Sequence, residues 1–375
     1  MNQISARGDA AGSAGSAADP GSGAEPSGPL MAELRPLAAC ADIRAEWTSL
    51  AARAIEPNLF FEPDFVLAAT QHLVAFGEAA AVLVWQGPED APRRRLLGLF
   101  PCFRRNRLFG SDELVGFSDR RIANGAPLID AAMAQPVIET ALSLRHEGMP
   151  VGRGLVLRQI ALDSPILTPM LAAAERLGLS ATLRPSKPMV RQAGLDLARA
   201  RATLERRGEL SLTETSARGE VRDAVELVLA LDASGASGRS GAAALQDTRE
   251  VGFLRALTRG LARQRQCRLA LLALDGEPIA GAILLGRARA SYFYMGAQDD
   301  AHADCAPLRV LLALLRQNAG RTILNTSSLE PPLVETATAE LQLKPQAAMT
   351  PRDLAGRARE ALRRSFSRAP ARRAG

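Results

Sequence analysis

A polar turn running straight into a helix start is the stretch of this sequence best equipped for chemistry. It reads Met295-Gly296-Ala297-Gln298-Asp299-Asp300-Ala301-His302, then Ala306-Pro307-Leu308-Arg309. The first N–H groups of a helix have no intrahelical partners, and the helix dipole places partial positive charge there. A helix opening at Pro307-Leu308-Arg309 could therefore receive a phosphate, with Arg309 adding a guanidinium. Leu308 makes a close backbone approach harder than glycine would. Asp299 has the chemistry of a general base or of a carboxylate that orients an acceptor, and equally that of an Asx-type turn residue. His302, close to Asp299 in sequence, has an imidazole able to carry a proton and reads equally as a solvated loop residue. Arg239 lies in the small-residue loop from Ala233 to Ala244. There a guanidinium could hold a phosphate or acceptor oxygens, or be one surface arginine among many.

The elements that must position these residues follow from hydrophobic spacing. Leu210–Thr215 reads as a strand, Gly219–Leu231 as a helix, and Thr248–Gln264 as a helix with Phe253, Leu254, Leu257 and Leu261 along one side. Leu269–Leu274 and Ile279–Leu285 form a hairpin across Asp275-Gly276, a strong turn signal. Ser291–Gly296 adds a third strand, Leu308–Asn318 a helix, Thr322–Asn325 a strand and Pro331–Leu341 a last helix. The first half repeats the pattern. Ala41–Ala54 and Asp64–Val74 read as helices, Ala80–Trp85 and Leu96–Phe103 as a hairpin. Gln135–His146 is then helical, Leu155–Ile160 a strand, and Thr168–Leu177 a helix closed by Gly178, with Ser180–Leu183 and Met189–Leu195 completing the half. Two successive units with antiparallel hairpins predict mixed α/β domains and exclude a parallel dinucleotide-binding sheet. The common nucleotide-loop, serine-hydrolase and zinc-protease motifs are absent from the sequence.

Charge narrows the partners. The formal net charge is +6, and the segment from Arg357 onward carries seven arginines against Glu360, so the other residues sum to zero. A nucleic-acid-binding domain needs a basic stripe in the folded region, so no nucleic-acid partner is expected. The tail places Leu354, Ala358, Ala361, Leu362 and Phe366 opposite its arginines, a pattern suited to peripheral contact with an anionic membrane or to a solvated terminus. Four scattered cysteines and three histidines form no metal-type cluster. With no secretory or membrane-spanning apolar block, the expected location is cytoplasmic. Residues 1–30 are poor in large apolar side chains and are expected to be disordered.

Four stretches, in order, resemble one family. Asn58-Leu59-Phe60-Phe61-Glu62-Pro63-Asp64-Phe65, downstream of Trp47, is similar to its N-P-F-F-x-P-x-W, and Asn124-Gly125-Ala126-Pro127-Leu128-Ile129-Asp130 to its G-x-P-L-V-D. Gly238-Arg239-Ser240-Gly241-Ala242-Ala243 resembles its W-K-G-R-x-G-T-A loop. Leu274-Asp275-Gly276-Glu277-Pro278-Ile279-Ala280, with Gly296-Ala297-Gln298-Asp299 and Ala306-Pro307, resembles L-D-G-x-P-I-A … Y-D … S-P-G. The family is the GNAT-type acetyltransferases of cellulose and exopolysaccharide biosynthesis, tandem GNAT-like proteins related to the peptidoglycan aminoacyl-transferases. The sequence departs from it at Ala236-Ser237, Gln298 and Leu308, and its closing strand signature is not recognisable over 323–328.

The resemblance implies two tandem GNAT-like acyltransferase domains, over 31–200 and 201–345, with a basic tail over 346–375. It implies an acetyl-CoA or other acyl-CoA co-substrate held by Met295, Gly296, Ala297, Ala306, Pro307, Leu308 and Arg309, with Asp299 and Arg239 as catalytic candidates and no metal. The acceptor it implies is a small molecule or glycan precursor, taken as N- or O-acyl acceptor. Two other readings stay open: a binding or scaffold protein on the same fold, and an aminoacyl-tRNA-dependent transferase.

Overall fold

The protein is described here by a computed structural model covering residues 28–87, 94–105, 113–146, 149–150, 154–186, 196–287, 290–319, 322–325 and 337–345. Residues 1–27 of the stretch expected to be disordered, the tail over 346–375 and the strand expected at Met189–Leu195 lie outside the described residues; Leu30, within that stretch, opens the first strand.

The first unit opens with β1 (Leu30–Pro36), α1 (Arg44–Arg53), α2 (Pro63–His72) and α3 (Val74–Gly77). It continues through β2 (Ala80–Gln86), β3 (Arg95–Arg105), β4 (Glu113–Gly116), β5 (Leu128–Ile129) and α4 (Ala134–Leu142). A small pair, β6 (Arg145–His146) and β7 (Met149–Pro150), precedes β8 (Leu155–Ala161), α5 (Leu167–Arg176) and β9 (Leu179–Pro185). The second unit holds α6 (Leu197–Arg207), β10 (Leu210–Thr215), α7 (Arg218–Ser234), α8 (Ala236–Arg239) and α9 (Thr248–Arg263). Then come β11 (Cys267–Leu274), β12 (Glu277–Leu285), β13 (Ala290–Gln298), α10 (Pro307–Ala319), β14 (Thr322–Asn325) and β15 (Thr338–Pro345). The architecture is mixed α/β with antiparallel-rich sheets, as expected.

Local chemistry explains many of the boundaries. Pro63 occupies the first turn of α2, where its missing N–H costs nothing. Asp247 accepts from the N–H groups of Arg249 and Glu250 and so starts α9. Gly178, at φ +65°, closes α5. Asp275 and Gly276 both have positive φ, the demand of a type I′ hairpin turn between β11 and β12. The larger elements that were not expected are β1, α6 and β15; the helix expected at Gln135–His146 stops at Leu142, with β6 following, and the loop expected at Ala233–Ala244 holds the short α8.

That last strand corrects the expected helix at Pro331–Leu341. Residues 338–345 form β15, which leaves the second unit and pairs antiparallel with both β8 and β9 of the first. The first sheet therefore runs β1-β2-β3-β4-β8-β15-β9, with β5 paired to β3. Ala339, Leu341 and Leu343 point into its core, and the alternate positions do not. The second sheet runs β10-β11-β12-β13-β14. Its β12 is buried on both faces, covered by α7 and α9 on one side and by α10 and α6 on the other.

The two units share one apolar cluster. Phe65 of α2 meets Phe253 of α9 edge-to-face at 5.7 Å between ring centroids, and Phe60 meets Tyr292 of β13 at 4.8 Å. Helices α2 and α9 approach closely because α9 carries glycines at the contact. A Cβ on Gly252 would lie 2.8 Å from His72 Nδ1, and one on Gly260 3.2 Å from Asp64 Oδ1. Polar clamps flank this contact: Arg44 and Gln264 both donate to the Asp64 carboxylate, and Arg121 binds Glu250.

Candidate functional site

The strand that carries the site is irregular at the point where it matters. β13 pairs antiparallel with β12 along its length, but its register slips: Phe293 faces Leu284 and Met295 faces Ile283, which leaves Tyr294 as the extra residue of a bulge. On its other edge β13 pairs with β14 in parallel, from Ala290 to Phe293. Beyond the bulge, the edge from Tyr294 to Gln298 has no strand partner among the described residues. A strand edge of this kind presents N–H and C=O groups to any extended chain laid along it.

Met295, Gly296 and Ala297 lie on that edge through their backbone. The side chains of Met295 and Ala297 turn toward the apolar cluster shared by the units. Gly296 has no room for a side chain, since a Cβ would meet Phe293 Cε2 at 2.7 Å and Leu308 Cδ1 at 2.8 Å. Leu308 is thus a core residue, 3% exposed, covering the strand from α10. That explains why a leucine stands where the family pattern has glycine.

The turn after β13 uses its polar groups internally. Asp299 accepts from the Ala301 N–H at 2.9 Å and donates its own N–H to the Ile279 carbonyl at 2.8 Å. It is the Asx-type cap of a 3-10 turn over Asp300–Cys305. Arg239 is brought to this turn by α8, but its partner is Asp300, at 2.5 Å. Arg207 of α6 holds Asp304 at 2.5 and 3.1 Å and approaches His302 Nδ1 at 3.4 Å. The hydrogen bonds from Arg207 keep the Asp304 carboxyl below its usual range. Arg239 and Asp299 therefore share a neighbourhood without contacting each other.

At the mouth, Ala306 takes the left-handed conformation (φ 43°, ψ 62°) and α10 starts at Pro307. Pro307 has no N–H. The Leu308 N–H donates to Gln298 Oε1 at 3.2 Å, and those of Arg309 and Val310 donate to the Ala306 carbonyl. The half-buried Arg309 has no side-chain partner among the described residues. These residues fit an acyl-CoA in part. The β13 edge suits an extended pantetheine-like arm, and Arg309 suits a phosphate. The helix-end donor at Leu308 is taken by Gln298.

Two residues that sequence reasoning passed over stand out. Tyr292 and Tyr294 are the chain's two tyrosines, spaced to share a face of β13. Tyr292 packs on Phe60 and Tyr294 on Phe65, so both rings face the first unit. The Tyr294 hydroxyl has no hydrogen-bond partner among the described residues. Burial, reinforced by Glu250 and opposed by Arg121, pushes it well above the usual tyrosine range. Burial and then Glu56 raise Tyr292 in the same direction. Two tyrosines two positions apart, in a chain with no others, were the available signal.

The motifs of the first unit are structural. Asn58 donates to the carbonyls of Asn124 and Ala126, at 2.9 and 2.7 Å, and ties the two loops together. Trp47 Nε1 donates to the Phe61 carbonyl at 2.8 Å. Asp130 is 1% exposed and accepts from Arg53, Arg95 and the Ala132 N–H. Among the described residues, no group of His, Cys, Asp and Glu is arranged to hold a metal ion, and no helix is long and apolar enough to cross a membrane.

Residues 191–325 match the family model of an acetyltransferase (GNAT) domain. The second unit thus has a GNAT-type acyltransferase fold. No curated protein matches the chain significantly. Among solved structures, the chain is similar to FemX at 10% identity, covering 74% of this chain and 84% of that one, with a TM-score of 0.43. It is similar to the C-terminal domain of a putative lysylphosphatidylglycerol synthetase from Agrobacterium fabrum at 14% identity, with coverage of 85% and 96% and a TM-score of 0.40. A tandem GNAT protein from the clavulanic acid biosynthesis pathway is similar at 12% identity, with coverage of 84% and 99% and a TM-score of 0.35. At such scores no residue's role carries over from these proteins.

Proposed function

We propose that the chain is an acyl-CoA-dependent N- or O-acyltransferase whose donor lies along β13. The observation that carries this reading is the Tyr294 bulge with the unpaired edge beyond it. Bound there, an acyl-CoA supplies an activated thioester. A backbone N–H at the bulge can donate to the carbonyl oxygen, and it counts most where negative charge develops during attack. The acceptor's amine or hydroxyl attacks the carbonyl carbon, the carbon–sulfur bond breaks, and the acceptor's proton passes to water or a side chain. Holding donor and acceptor together is itself a large part of such catalysis. The Tyr294 hydroxyl is buried against the first unit and has no part in the proton transfer of this reading. Arg309 and the Leu308 N–H are the phosphate contacts of this reading, in place of Arg239. A sugar or cell-envelope precursor is the proposed acceptor, and the cytoplasm the proposed location.

The Gln298–Leu308 bond favours one second reading, a binding protein on the same fold without turnover. Calorimetric titration with acetyl-CoA tests the first step. Saturable heat is expected, weakened in Arg309→Ala. A net hydrogen bond is worth about 0.5–1.5 kcal/mol, so Gln298→Ala is expected to tighten binding by about two- to tenfold. No heat at millimolar ligand in any of the three proteins rejects the donor site. Binding without thiol release across a panel of amines and sugars favours the second reading.

A further inference from the structure

Helices α7 and α9 pack side by side and leave an outer groove of about 720 Å³ between them. That is within the range of about 300–1,000 Å³ typical of small-molecule sites. Its floor is apolar, formed by Val221 and Val225, each 1% exposed. Its walls are basic. Arg218 and Arg222 come from the first turns of α7. Arg255, Arg259 and Arg263 follow at four-residue intervals and share one face of α9.

Two acids, Asp223 and Glu226, line the same groove, so five arginines less two acids leave a charge of +3. Both acids are already engaged. Glu226 takes two bonds of 2.7 Å from Arg255, and Asp223 one of 2.8 Å from Arg222. Arg218, Arg259 and Arg263 have no ion-pair partner among the described residues. Helix α7 also begins without a side-chain cap, and Gly219 in its first turn faces open space. Unpaired guanidinium groups gathered beside an uncapped helix start repel one another until an anion joins them.

We infer that this groove binds the phosphate group of a small ligand. Guanidinium forks match phosphate oxygens in pairs, and helix-start N–H groups add donors of the right sign. The apolar floor accommodates the organic part of a phosphate ester. Val221 and Val225 belong to the apolar cluster on one face of the second sheet, while α10 packs on the opposite face. No residue of β13 or α10 lines the groove, so it stands or falls independently of acyl-CoA binding. A soluble phosphate ester and a phospholipid headgroup offer the same chemistry, and the test has an arm for each.

Wild type, Arg259→Ala/Arg263→Ala and Arg218→Ala are titrated with sodium pyrophosphate by calorimetry at about 0.15 M salt, where weak surface attraction is screened. Each is also sedimented with phosphatidylglycerol vesicles. Melting by circular dichroism checks that the variants are folded; Arg218→Ala, on the other helix, provides a second route to the same answer. The expected result is saturable pyrophosphate binding, weakened at least about tenfold in either variant, because a charge-assisted bond contributes enough to shift affinity by that factor. Sedimentation that the same substitutions abolish, without pyrophosphate heat, assigns the site to a lipid headgroup. Absence of both signals, or signals that neither substitution changes, overturns the inference.

Discussion

Replacing Tyr294 with phenylalanine removes one oxygen and little else. The residue is 9% exposed, its hydroxyl has no hydrogen-bond partner among the described residues, and its ring meets Phe65 edge-to-face at 6.1 Å. Phenylalanine keeps that ring contact. A buried hydroxyl left unsatisfied costs about 1–3 kcal/mol of desolvation, so Tyr294→Phe is expected to stabilise the fold by up to that amount. For a cooperative unit of about 150–250 residues, each kcal/mol corresponds to roughly 2–4 °C in Tm. Urea unfolding followed by circular dichroism reads the change as a higher midpoint at unchanged slope. A loss of stability beyond about 1 kcal/mol would show that the hydroxyl has a partner, and would refute the reasoning.

Four further outcomes follow from the structure. Gly125→Ala places a Cβ 2.0 Å from the Arg158 carbonyl oxygen, a backbone atom that cannot step aside, so a loss of about 1–3 kcal/mol or more is expected in urea titration. Burial raises the Cys40 thiol to about 11 and those of Cys102 and Cys267 to about 12. The unfolded thiols ionise first, so their contribution to stability is intact below pH 9 and is lost between pH 9 and about 12, which stability measured against pH with and without Cys→Ala substitution can show. Below pH 9 these native thiols are expected to react with an aromatic disulfide reagent only as fast as the fold opens. Ending the chain before Thr338 exposes the β8 and β9 edges and removes the buried Ala339, Leu341 and Leu343, so limited proteolysis is expected to attack the first unit before the second.

The parts legible in the sequence were those fixed by near neighbours. Asp275-Gly276 demands positive φ at two successive residues, and the hairpin forms where that demand is met. The stripe Phe253, Leu254, Leu257 and Leu261 fixed the buried side of α9. Distant partners hid the rest. Leu197–Arg207 buries Ala200 and Leu204 alone among arginines and small residues, too narrow a stripe to read as α6. Thr338–Pro345 alternates strictly, but its partners lie far back in the chain, and the proline-led run before it suggested a helix. In the candidate site, the positions of Met295, Gly296 and Ala297 on a strand were readable. The Gln298 bond was not, because it depends on the left-handed turn at Ala306. Arg239 was singled out in its loop, but its pairing with Asp300 joins segments separated by a helix and three strands.

The placement of β15 has a consequence for biosynthesis. Its neighbours β8 and β9 leave the ribosome before it, and the strand that joins them comes about 150 residues after Pro185. At roughly 5–20 residues per second, the interval is on the order of 8–30 s. Throughout it the first sheet is split, with two strand edges open to pairing with another chain. The nascent protein is then most vulnerable to misassociation, because a strand translated after the second sheet closes the first.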